Sequence, residues 1–158
     1  MSSKIPNLWP IETVSVEILP PLVILRIQAE NLTQMMHGLL QGEITTEVTD
    51  KGIVQHHFDI VAPALNSYRH RLFSVTHDEN LVYPVRHNAP FDGDVHHAIS
   101  EVHGIYTNEA NTENDFLIAL KEIFRTRRVL SVINSLVARS NEAQLKNEQS
   151  AAKELQAA

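Results

Sequence analysis

The sequence predicts an α+β fold: an N-terminal helix, an antiparallel meander of three to five strands, and two C-terminal helices packed on one sheet face. Three observations carry that expectation. An apolar stripe recurs every three or four residues from Leu22 to Met36. Two period-two arms flank Asp50-Lys51-Gly52, and two further helical stripes follow Thr112.

Taken in order, residues 1–20 hold Pro6, Pro10 and Pro20, and Val14, Val16 and Ile18 alternate as an edge strand would. Pro21 suits the first turn of a helix because its fixed φ is already helical and its missing N–H has no partner to lose. Leu22, Leu25, Ala29, Leu32 and Met36 then form one face, and Gly38 offers a left-handed stop.

A hairpin follows. Ile44, Thr46 and Val48 alternate on one arm, and Val54, His56, Phe58 and Ile60 on the other. A three-residue loop ending in Gly52 sets Val48 opposite Val54, Thr46 opposite His56 and Ile44 opposite Phe58, so the apolar residues share a face. Tyr68–Thr76 reads as a third strand, His77–Asn80 as a polar turn, and Leu81–Val85 as a fourth strand at the edge, where Pro84 is tolerated. Residues 86–111 have no decisive period. Thr112 and Asp115 then resemble a helix cap, ahead of Phe116, Ala119, Leu120, Ile123 and Phe124. Val129, Val132, Ile133, Leu136 and Val137 continue the stripe after Thr126, as a bent helix or as two helices meeting at a corner. Residues 1–140 are read as one domain and residues 141–158 as a polar helical or disordered tail.

The 158 residues are enough to bury a core unaided, and 43% hydrophobic with 20% charged residues is ordinary for a folded chain. A formal charge of −6 argues against a general nucleic-acid partner, which wants lysine and arginine against phosphate. The absence of cysteine excludes disulfides, thiolate metal ligands and a thiol nucleophile. The apolar run Leu22–Leu25 is too short to span a membrane, so no membrane role and a cytoplasmic location are expected. Five scattered glycines form no phosphate-binding loop, and no Gly-x-Ser-x-Gly or His-Glu-x-x-His is present. No cofactor is expected.

Three groups of residues are candidates for chemistry. All nine histidines lie between residues 37 and 103, and Asp94, His96, His97 and His103, with His87 in reserve, offer the nitrogen and oxygen donors that zinc takes. His57 and His70 with Arg69 or Arg71 supply the acid, base and phosphate clamp of a metal-independent ribonuclease, provided that one sheet face carries them all. Arg125, Arg127 and Arg128 cluster between the C-terminal stripes, where they suit an acidic partner. Each group also has a plain alternative: polar residues on the surface of an irregular segment, cross-strand charge pairing and a solvated helix corner. The leading expectation is a non-catalytic interaction or accessory protein, an immunity, antitoxin-like or complex-subunit component of a bacterial cytosol. It would bind a protein partner or form a homo-oligomer.

Overall fold

A computed structural model describes residues 5–10, 17–89 and 108–157. Helix α1 (Pro21–Met35) precedes strands β1 (Gln41–Val48), β2 (Ile53–Ala62), β3 (Tyr68–Asp78), β4 (Val85–His87) and β5 (Asn108–Ala110). Helices α2 (Glu113–Phe124) and α3 (Arg127–Gln156) complete the chain. The strands lie in sequence order in one antiparallel sheet, so the α+β meander is as expected.

The local signals act as anticipated at most junctions. Pro21 opens α1, and the chain leaves it through His37 and Gly38, both at positive φ. Val48 faces Val54, Thr46 faces His56 and Ile44 faces Phe58, with Gly52 at φ +75° closing the loop. Thr112 Oγ accepts the Asp115 N–H at the start of α2. The C-terminal stripes form two helices, with Thr126 capping the second through the Val129 N–H.

Four details differ from the sequence reading. β3 runs through His77 to Asp78, because those residues still pair with Val54 and Ile53. Strand pairing at β4 begins only at Val85, after Pro84, which has no N–H to give a ladder, so Leu81–Tyr83 lie outside the sheet. The segment without a decisive period ends in β5, whose Ala110 pairs with Val85. Glu17 and Ile18 are not in a strand, and the rest of that proposed edge strand lies outside the described residues, as do residues 90–107 of the segment without a decisive period.

The core gathers Leu25 and Ala29 of α1, Phe58 and Ile60 of β2, Phe73 and Val75 of β3, Phe116 and Ile123 of α2, and Val129 and Leu136 of α3. Phe58, Phe73 and Phe124 cluster at centroid distances of 5.4–5.9 Å, the spacing at which aromatic pairs attract beyond area burial alone. α1 seats on β1 by backbone proximity. The Gly42 N–H donates to Thr33 Oγ1, and a Cβ at Gly42 would stand 2.6 Å from the Ala29 Cα and carbonyl oxygen. Gly42→Ala must therefore push α1 off the sheet. It is expected to cost about 1–3 kcal/mol or more in urea unfolding, since backbone cannot yield as a side chain does. An unchanged midpoint would mean that α1 seats elsewhere.

β3 contains the feature that organises the second face. Phe73 pairs with Phe58 but Arg71 pairs with Asp59, so Leu72 is an extra residue, a β-bulge. Leu72 and Phe73 both enter the core, and the strand's facing inverts between them. His70 then pairs with the core residue Ile60, while Arg69 and Arg71 turn to the opposite face.

Candidate functional site

That opposite face carries a charged row. Asp59 sits at its centre, paired laterally with Glu43 of β1 and Arg71 of β3. Its side chain is 1% exposed, while those of Arg69 and Arg71 are 45% and 50% exposed. Arg71 Nε donates to Asp59 Oδ1 at 2.9 Å, and an Arg69 terminal nitrogen donates to Oδ2 at 3.1 Å. The other terminal nitrogen of Arg69 donates to Glu43. Burial pushes the Asp59 carboxyl upward, but the bonds from Arg71 and then Arg69 outweigh it and hold the group below its usual range. Glu43 and then Asp59 in turn raise Arg69.

The next row pairs His57 of β2 with Ser74 of β3. His57 Nδ1 and Ser74 Oγ are 2.6 Å apart, and the Glu47 carboxylate stands 3.5 Å from His57 Nε2. A serine, a histidine and an acid in line invite comparison with a nucleophilic triad. The geometry opposes it: Ser74 and His57 are 5% and 4% exposed, and the Ser74 N–H is committed to Asn88 Oδ1 at 2.8 Å. A substrate carbonyl has neither an approach to the hydroxyl nor that N–H as an oxyanion donor.

The structure brings together only part of the ribonuclease set. His57, Arg69 and Arg71 share a face, whereas the bulge sends His70 to the core side with Ile60. A base and an acid on opposite sides of one sheet cannot flank one phosphate, and both arginines are already engaged by carboxylates. Sequence alternation placed Arg69 and Arg71 in phase with Phe73, because one inserted residue leaves no mark in a period-two pattern.

The arginine cluster divides. Arg128 donates to the Leu72 carbonyl at 3.2 Å, supplying the partner that the bulge removed from the ladder, so it ties α3 to β3. Arg125 ends α2 and lines a groove between α1 and α2 with Gln28, Leu117, Leu120, Lys121 and Phe124. Arg127 lies in the first turn of α3. Asp94, His96, His97 and His103 lie outside the described residues. The reserve ligand His87 is buried on the core side beside Val75, and burial pushes its imidazole down to about 4.

One histidine contact escaped the sequence reading. His56 and His77 meet on the core side of the β2–β3 ladder, their Nε2 atoms 3.0 Å apart. The signal was present in the alternation Phe73, Val75, His77, which continues the inward phase past the point where polarity suggested a turn.

No helix among the described residues is long and apolar enough to cross a membrane. The chain matches no protein-family model, no curated protein and no solved structure.

Proposed function

We propose that the chain is a non-catalytic interaction protein that takes an acidic, partly apolar segment of another protein in the α1–α2 groove. The observation that carries this reading is the groove itself. Leu117, Leu120 and Phe124 form an apolar wall, and Lys121 and Arg125 stand beside it on a chain whose overall charge is −6. The neighbouring outer face of α1 adds Val23 and Ile27, 37% and 46% exposed, with Arg26 between them. Apolar contact with flanking basic groups is what an amphipathic acidic segment recognises. The polar face of the sheet supports a binding role over a reactive one, since Asp59, Arg69 and Arg71 are engaged with one another and Ser74 is buried against His57. An accessory role of the immunity, antitoxin or complex-subunit kind, in a cytosol, fits a cysteine-free acidic chain.

Native mass spectrometry of the untagged protein from its own cytosol tests this. A stoichiometric protein partner is expected on the parent chain and absent from Leu117→Glu, whose 42% exposure lets it change without unfolding the core. A partner that stays bound to Leu117→Glu, or a bare parent chain, would sink the groove reading.

A further inference from the structure

His56 and His77 are arranged as ligands. Each ring is held from behind by an oxygen: the Asp78 carbonyl lies 2.7 Å from His77 Nδ1, and Thr46 Oγ1 lies 2.8 Å from His56 Nδ1. A carbonyl only accepts, so His77 Nδ1 carries a proton, and a ring holding that one proton presents a lone pair at Nε2. That lone pair points at His56 Nε2, 3.0 Å away. With no ion between them, His56 Nε2–H donates across the gap and the Thr46 hydroxyl donates to His56 Nδ1.

Thr46 supports the other tautomer equally well, because a hydroxyl both donates and accepts. When it accepts, the His56 proton sits on Nδ1 and two Nε2 lone pairs converge on one point. An imidazole whose far N–H is fixed by an oxygen is the usual setting of a metal-bound histidine. Two nitrogens on a tetrahedral zinc, each bonded at about 2.0–2.1 Å, stand about 3.3–3.4 Å apart. The pair needs to open by only a few tenths of an ångström.

We propose that His56 and His77 form a two-histidine binding site for zinc, with water completing the coordination. Among the described residues no third histidine, aspartate or glutamate joins them, so the ion is exchangeable rather than a structural staple. Arg26 and His57 act electrostatically on His56, and the Arg26 charge opposes a cation, which weakens the site further. Binding moves the His56 proton from Nε2 to Nδ1 and turns the Thr46 hydroxyl from donor to acceptor. The site lies at the sheet rather than in the α1–α2 groove, so it stands or falls apart from the partner reading.

The test is calorimetric titration of zinc chloride into the full chain carrying His96→Ala, His97→Ala and His103→Ala, which removes the other candidate ligands. One zinc per chain is expected, with a raised melting temperature. Adding His77→Gln should weaken binding at least tenfold, and adding Thr46→Val should weaken it by about 10–100-fold, the usual effect of losing such an orienting partner. Equal zinc binding after His77→Gln, or no binding to the background chain at a large excess of zinc, overturns the proposal. Ring-nitrogen NMR of the unmutated chain reads the same point without any variant. Zinc must shift both Nε2 resonances and move the His56 proton to Nδ1, and unmoved resonances overturn the site.

Discussion

Replacing Arg69 and Arg71 together with alanine is expected to destabilise the fold by about 3–5 kcal/mol, more than removing Asp59 itself. The asymmetry follows from exposure. Asp59 is sealed at 1%, whereas the two arginines are about half in water. Without Asp59, the guanidinium groups turn outward and recover hydration, so Asp59→Asn should cost nearer 1–3 kcal/mol. Without the arginines, the carboxylate keeps its burial and loses both donors. Urea unfolding at neutral pH compares the two variants directly.

The same pair predicts an inversion with pH. In the parent chain Asp59 lies below its ordinary value of 3.8, so its stabilisation is present above that value and is lost as pH falls through the lower folded value. In the double arginine variant only burial acts, and the carboxyl rises above its ordinary value. Acidification from neutrality then neutralises an unpaired buried charge, and the stability gap between variant and parent narrows. A gap that is independent of pH, and no larger than that of Asp59→Asn, would mean that the two arginines do not hold the carboxylate in its ionised form.

Stability of the parent chain is expected to fall steeply between pH 6.5 and pH 4. Burial, followed by the nearby charges of His77, Arg26 and His57, pushes His56 from 6.5 to about 4, and burial alone does the same for His87. Across that window the unfolded chain binds more protons than the folded one, so lowering the pH favours unfolding. Each tenfold change in proton affinity is worth about 1.4 kcal/mol, which makes each histidine worth up to about 3 kcal/mol over the window. Above pH 6.5 the two contribute a constant amount. Urea midpoints taken through the range should lose roughly half of this slope in His56→Gln, whose amide also spans a donor and an acceptor. A parent chain equally stable at pH 7 and pH 4.5 would contradict the burial of both rings in their neutral forms.

The architecture was legible in the sequence to different depths in different places. The first hairpin was legible residue by residue, since its alternating arms and Gly52 leave a single register that keeps Ile44, Val48, Val54 and Phe58 together. The helices were legible because their apolar stripes are long and their ends carry Pro21, Gly38, Thr112 and Thr126. β4 and β5, three residues each, are too short to show a period, and β5 exists through its pairing with Val85 to His87 rather than through propensity. Of the candidate site, the composition of the charged face was legible but its membership was not. Asp59, Arg69 and Arg71 come together through the bulge, and the bulge excludes His70. The His56–His77 contact depends on pairing between strands, which spacing along the chain does not encode.

The bulge at Leu72 also bears on which changes of length the gene tolerates. Loss of codon 72 would remove the inserted residue: Phe73 and Arg71 would become neighbours opposite Phe58 and Asp59, and residues 68–71 would keep the faces they have now. The reading frame and the charge layout of the strand end would both survive. The damage would be confined to the place of Leu72 in the core and to the carbonyl that Arg128 meets.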